Sequence, residues 1–112
     1  MARLTSTMWF AVFMKQESIR GAFVTAIKTG AQEAGAIFVI HNHLDNYATL
    51  YGPAPQIDLE FSATGRTFET IINHGSMEEV EAYLEKQRSF DPDLWIIETE
   101  SGAGEPNLAL LQ

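Results

Sequence analysis

The segment from residue 34 to residue 56 constrains the fold of this chain more than any other. An apolar run, Ala36 to Ile40, leads into the turn residues Asp45-Asn46, and a second short strand, Ala48 to Tyr51, follows. Two strand-forming runs around a short polar turn are typical of a β-hairpin. The first run is apolar at successive positions, so both of its faces are expected to be buried, which predicts a central strand.

A two-residue turn at Asp45-Asn46 sets the predicted register, with Ile40 opposite Tyr51. Pro53 and Pro55 follow, and since neither carries a backbone N–H, we expect sheet pairing to stop there. We expect the segment after these prolines to cross one end of the sheet.

Tyrosine, glutamine and tryptophan combine an apolar body with a polar tip, so we predict that any ligand-binding cleft is lined by this exit segment rather than by the helix at 77–88. The candidate binding residues are Tyr51, Gly52, Pro53, Pro55, Gln56 and Trp95. A rigid strand terminator with no binding role is the alternative, and we favour it because proline and glycine more often serve architecture.

His41 and His43 lie two positions apart on the first hairpin strand. Their rings therefore project from one face about 6–7 Å apart. Imidazole nitrogens at this spacing can share a metal ion, with His74 or Asp45 as a third ligand. We favour the simpler interpretation of two polar residues at the solvent end of a hairpin, and we expect no cofactor.

The first twenty residues predict a helix at 7–20. Trp9 and Phe13 belong to a stripe at helical spacing, Thr5 or Ser6 is a suitable N-cap, and Gly21 is a suitable C′ residue. A strand is the rival, because residues 9–13 are dense in aromatic and β-branched side chains.

The region 67–88 predicts two helical pieces. Phe68, Ile71 and Ile72 are spaced as in a short helix that ends at Gly75. Residues 76–79 then form a capping box that starts a second helix running to about residue 88.

Taken together, the patterns predict an α+β domain over residues 1–100. A small, mainly antiparallel sheet of about four strands (22–28, 36–43, 47–52 and 94–99) is expected to carry two or three helices on one face. Residues 101–112 form a C-terminal tail that is expected to dock on the domain or on a neighbouring subunit.

The amino-acid composition excludes several kinds of site and partner. The chain has no cysteine, which excludes disulfides and cysteine-ligated metals and fits a reducing cytoplasm. The net charge is −8, and all acidic residues but Glu17 and Glu33 lie after residue 43. An acidic protein repels phosphate backbones, so we expect no nucleic-acid partner. No run approaches the ~20 apolar residues of a membrane span.

Three strings, RLTSTMWFAVF, AGAIFVI with LYGPAPQ, and FDPDLWIIE, occur in this order along the chain. Together they resemble a bacterial family known as domain of unknown function 1491, over roughly residues 3–100. The resemblance implies a short, single-domain, cytoplasmic bacterial protein and implies no activity.

Two functional hypotheses follow. The first is a non-enzymatic binding or interaction module that forms a homodimer, because aromatic residues, the proline exit and an apolar tail exceed what a small domain needs to bury. The second is a small metal-dependent or acid–base enzyme that uses His41 and His43 with an acidic partner.

Overall fold

The computed structural model describes residues 4–55, 66–101, 104–106 and 108. The chain is an α+β protein, as predicted. Its elements, in chain order, are α1 (Ser6–Ile19), β1 (Phe23–Lys28), β2 (Ile37–Asn42), β3 (Tyr47–Pro53), β4 (Phe68–Ser76), α2 (Met77–Phe90) and β5 (Trp95–Glu100).

The strands form one five-stranded sheet in the order β1-β5-β2-β3-β4. Neighbouring strands are antiparallel except β2 and β5, which run parallel. Three of these four pairs are antiparallel, so the sheet is mainly antiparallel, as predicted, but the parallel pair makes it mixed, and it has five strands instead of about four. The parallel pair arises because the chain passes through α2 before it returns to place β5 between β1 and β2.

The predicted short helix at 67–75 is wrong, since this segment is strand β4 at an edge of the sheet. Phe68 packs in a core cluster on one face of the sheet, whereas Ile71 and Ile72 pack on the other. Register shifts in the β3–β4 pairing allow these two neighbours to reach the same face. The apolar spacing therefore reflects two faces of a bulged strand and not one stripe of a helix.

The two helices lie on opposite faces of the sheet, not on one face as predicted. α1 covers a cluster that contains Trp9, Phe13, Val39 and Ile97, whereas α2 covers a cluster of Phe38, Ile40, Leu50, Val80, Leu84 and Ile96. We call these sides the α1 face and the α2 face. Leu108 of the C-terminal segment packs on the α1 face.

Helix α1 begins and ends close to the predicted positions. The Thr5 hydroxyl accepts the amide hydrogen of Met8 at 3.2 Å and caps the first turn. Gly21 has a φ of +86°, and the amides of Gly21 and Ala22 donate to the carbonyls of Ser18 and Glu17. This Schellman arrangement requires a residue that tolerates positive φ, which explains the glycine.

The hairpin register differs from the predicted one by one residue. The His43 amide donates to the Tyr47 carbonyl at 3.1 Å, and three residues form the turn. Leu44 and Asn46 both adopt positive φ, and the Asp45 carboxylate accepts the Tyr47 amide hydrogen. The added turn residue places His41 opposite Thr49, and Val39 instead of Ile40 opposite Tyr51.

Pro53 does not stop sheet pairing, contrary to prediction. It belongs to β3 and lies opposite Phe68 of β4, and the Ala54 amide still donates to the Thr67 carbonyl. Pairing of β3 with β2 extends only to Tyr51, so Pro53 has a neighbouring strand on one side only. A proline is tolerated at such an edge position because no ladder hydrogen bond is lost.

Candidate functional site

The α2 face carries an open groove because one helix is too narrow to cover it. Five strands span about 20 Å, whereas a helix with its side chains is about 10 Å wide. α2 packs against β3 and β4. Ile96 of β5 still packs in the core cluster under α2, whereas Ile27 of β1 lies beyond this cluster and is half exposed.

Apolar side chains line the groove. Ile40 and Ile96 form its floor, Leu84 forms its helical wall, and Ile27 forms its outer wall on β1. The groove has a volume of about 280 Å³. Ile27 is 51% exposed although its neighbours in the groove are buried, so this wall is the accessible one.

Charged side chains stand along the rim of the groove. Glu81, Glu85 and Arg88 come from α2, and Glu98 comes from β5. The Arg88 guanidinium lies 3.8 Å from the Glu85 carboxylate. Three carboxylates against one guanidinium make the rim acidic, which agrees in sign with the net charge of the chain.

A second arrangement brings all three histidines of the chain together at one end of the sheet. The ring centroids of His41 and His43 are 4.3 Å apart, and those of His43 and His74 are 4.6 Å apart. The ring of Tyr47 stacks on His74. We call His41, His43 and His74 the histidine row.

Each ring of the histidine row has a different polar neighbour. His41 is 2% exposed, and its Nε2 lies 3.1 Å from the Ser101 carbonyl oxygen. His43 Nε2 lies 2.8 Å from the Thr49 hydroxyl, which also accepts the backbone amide hydrogen of His74. The row thus joins β2, β3, β4 and the residue after β5.

The electrostatic surroundings oppose a positive charge on the central ring. Burial lowers the pKa of His43, and the adjacent imidazoles of His41 and His74 lower it further. The carboxylates of Asp45 and Glu105 act in the opposite sense on this pKa. His74 itself lies 3.2 Å from Asp45, with both side chains half exposed.

The rings of the histidine row contact one another at a tilt, with interplanar angles of 49° between His41 and His43 and 33° between His43 and His74. Among the described residues, no three His, Asp or Glu side chains are placed to hold one metal ion. The sequence suggested His74 or Asp45 as a third ligand, and the structure places His74 beside His43 and Asp45 beside His74.

The residues of the proline exit separate into buried and exposed positions. Tyr51 and Trp95 belong to the core cluster on the α1 face, and the Trp95 indole N–H donates to the Ala31 carbonyl. Burial, together with the nearby Glu105 carboxylate, raises the pKa of Tyr51. Gly52 is buried on the α2 face, where a Cβ would lie 3.0 Å from the Phe38 ring.

Pro53 and Pro55 are exposed, and Gln56 lies outside the described residues. The groove lies along α2 and does not include the exit residues. Sequence reasoning did not identify the groove. A relevant feature was the alternation in β1, where Val24 packs on the α1 face and leaves Phe23 and Ile27 exposed on the other side.

No helix in the described part of the chain is long and apolar enough to span a membrane. Among curated proteins there is no match to the chain.

Several solved structures share this fold. A protein from A. tumefaciens, whose solution structure is known, is 37% identical with a TM-score of 0.85; the match covers 99% of this chain and 97% of that one. A DUF1491 family protein from Caulobacter crescentus CB15, known from a crystal structure, is 23% identical with a TM-score of 0.81, covering 99% and 100% of the two chains. An NMR structure of a DUF1491 family protein from the same organism gives 23% identity and a TM-score of 0.78 over the full length of both chains.

The family model described as "Protein of unknown function (DUF1491)" matches residues 4–109, nearly the whole length of the chain. The family expected from the three sequence strings is thereby confirmed, and the chain belongs to the DUF1491 family.

Proposed function

We propose that this protein is a non-enzymatic interaction module whose α2-face groove binds an apolar, basic segment of another protein. The observation that carries the proposal is the groove between α2 and β1, where apolar side chains, with Ile27 half exposed among them, meet an acidic rim. Exposed apolar surface bordered by polar residues is characteristic of interaction sites.

The shape of the groove favours a peptide segment over a small molecule. Ile27 at the outer wall is half exposed, so a ligand in the groove would keep one side in solvent. Small-molecule sites bury most of the ligand surface, whereas a peptide helix laid in a groove needs contact along one side only. A helix with apolar residues at every third or fourth position would place them between Leu84 and Ile27.

Charge favours a cationic segment over a second copy of this chain. Glu81, Glu85 and Glu98 stand on the rim against Arg88. A second copy would bring a further net charge of −8 to this surface. A segment with lysine or arginine beside its apolar stripe would instead pair with the rim and associate faster at low salt.

The experiment uses two labelled peptides of about 14 residues, the length of a helix of about four turns. Both carry leucines at helical spacing; one has lysines on its polar face and the other has glutamates. We expect fluorescence anisotropy to show binding of the lysine peptide, weaker by at least ~tenfold for the glutamate peptide. Equal binding, or no binding of either, would overturn the proposal.

Variants of this chain locate the binding surface. Ile27→Thr keeps a β-branched residue in β1 and removes apolar area from the wall, so the lysine peptide should bind roughly tenfold more weakly. Glu81→Gln with Glu85→Gln should weaken binding and reduce its salt dependence. Glu33→Gln is the matched control, because Glu33 is an exposed acid beside the start of α1, away from the groove.

The homodimer expected from the sequence stays a prediction. Light scattering at high protein concentration decides whether a second copy occupies the groove. A dimer that becomes a monomer on Ile27→Thr substitution would replace the peptide proposal with self-association.

A further inference from the structure

We propose that the histidine row is a proton-sensitive clasp: its uncharged rings hold one end of the sheet closed, and their protonation opens that end while the rest of the fold stays intact. The histidine row shares no residue with the groove, and its response to protons depends on how the three rings are packed and hydrogen-bonded.

The hydrogen bond of His41 determines which of its nitrogens carries the proton. A carbonyl oxygen only accepts hydrogen bonds, so Nε2 of His41 carries the hydrogen that it donates to Ser101. Nδ1 of the same ring is buried and has no hydrogen-bond partner among the described residues. Protonation of His41 would create a buried N–H group without an acceptor, and such a group is costly.

Protonation of the central ring disturbs a second contact. The Thr49 hydroxyl accepts the His74 amide hydrogen and lies 2.8 Å from His43 Nε2. With neutral His43, the hydroxyl hydrogen can be donated to a bare Nε2. When Nε2 is protonated it becomes a donor. The Thr49 hydroxyl oxygen then has to accept hydrogens from both His43 Nε2 and the His74 amide, and its own hydroxyl hydrogen has to point to another acceptor.

Like charges on neighbouring rings would repel at the observed spacing. The centroid distances of 4.3 Å and 4.6 Å leave no room for water between the rings. Histidine as a residue type changes its charge between about pH 5 and about pH 8, so about pH 7.5 and about pH 5.5 are the conditions to compare.

Several ionisable groups other than the histidines surround the row. Asp45 from the hairpin turn and Glu105 after β5 favour the protonated form of His43. The phenol ring of Tyr47 on β3 stacks on His74. Beside His41 in the sheet, Thr99 of β5 donates to Glu17 of α1, and Glu17 is paired with Arg20 just after this helix. The two carboxylates nearest His43 are exposed, so solvent screens them more than it screens the contacts between the rings.

The clasp joins segments that are distant in sequence. The row connects β2 to β4 through Thr49 of β3, and it connects β2 to Ser101 after β5. Opening should therefore free the hairpin end and the start of the C-terminal segment together. The opposite end of the sheet, where the Trp95 amide donates to Ala36, should not respond.

Hydrogen exchange measured by NMR tests the proposal within one protein. Between about pH 7.5 and about pH 5.5, protection factors of the His43 and His74 amides should fall by at least ~tenfold, the factor that one pKa unit represents. The protection factor of the Trp95 amide serves as the internal control and should change by less than about twofold. Equal behaviour of the two ends, or no change at either, would overturn the clasp.

Two variants assign the effect to the rings. The chain has no histidine outside the row, so no other side chain titrates with an ordinary pKa in this range. His43→Gln removes the central ring and should abolish most of the pH response of the His74 amide. His74→Asn suits the positive φ at this position and leaves one ring contact, so it should reduce the response by less. A full response in either variant overturns the proposal, and His74→Asn decides alone if His43→Gln does not fold.

Discussion

Replacing Glu17 with glutamine should lower the free energy of unfolding by about 2–3 kcal/mol. The Glu17 side chain is fully buried at the end of α1. Its carboxylate accepts two hydrogen bonds from the Arg20 guanidinium, at 2.7 Å and 2.9 Å, and a third from the Thr99 hydroxyl at 2.9 Å. The pair therefore attaches the end of α1 to β5 of the sheet.

The magnitude follows from what remains after the substitution. Removing one partner of a buried ion pair costs about 3–5 kcal/mol when the other charge stays buried. The Arg20 side chain is 24% exposed, so its guanidinium regains some hydration and the loss should be smaller. Glutamine also keeps one oxygen that accepts a hydrogen bond from Arg20 or Thr99. These two effects reduce the expected loss to about 2–3 kcal/mol.

Urea unfolding followed by circular dichroism at pH 7 measures this loss, and the chain provides its own control. Glu85 and Arg88 form a second glutamate–arginine pair with the same three-residue separation, but their side chains are 79% and 47% exposed. Glu85→Gln should change the unfolding free energy by less than about 0.5 kcal/mol. A double-mutant cycle of Glu17→Gln with Arg20→Gln then isolates the coupling between the buried partners. Equal losses at the buried and exposed pairs would refute the reasoning from burial.

Four further measurements test individual contacts. Gly30→Ala should cost about 2 kcal/mol in urea unfolding, because a Cβ there would overlap the backbone carbonyl of Asp93; a neutral result would show that this backbone yields easily. Ser76→Ala removes the hydroxyl that caps α2 and should cost about 1 kcal/mol by thermal unfolding, whereas a destabilisation near zero would mean that water replaces the cap. Tyr51→Phe should cost less than about 1 kcal/mol, since the phenol oxygen makes no hydrogen bond within the described residues; a loss above ~2 kcal/mol would reveal one. Because the pKa of His43 is lowered, the unfolded chain binds more protons than the folded one, so stability should be constant above about pH 6.5 and fall as the pH drops below it. Urea unfolding at several pH values, with the His43→Gln variant for comparison, measures this pH dependence of stability. Greater stability at about pH 5.5 than at about pH 7.5 contradicts the prediction.

Elements that depend on near neighbours in the chain could be predicted from the sequence. Thr5 and Gly21 mark the ends of α1, and the Ser76 cap marks the start of α2, because a cap satisfies backbone groups within a few residues of itself. The hairpin was also recognisable, although its register was not. Three residues instead of two form the turn, and Leu44 there adopts a positive φ, a conformation that leucine rarely takes and that its identity therefore does not predict.

Features that depend on distant pairing required the tertiary structure. Phe68 to Ser76 is a strand because it pairs with β3, and this pairing overrides the helical spacing of its apolar residues. The position of β5 between β1 and β2 brings together segments more than fifty residues apart. That arrangement goes with helices on opposite faces and with a groove that is open between α2 and β1.

In the candidate sites, too, some features depend on near neighbours in the chain and others on distant pairing. The spacing of His41 and His43 placed both rings on one face, as expected from side-chain alternation in a strand. Their contacts with Thr49, His74 and Ser101 depend on the hairpin register and on two other strands. Local sequence determines which backbone conformations and caps are favourable, but the choice of strand neighbours depends on the free energy of burying both sheet faces at once. That free energy depends on contacts throughout the fold and cannot be assigned to any one segment.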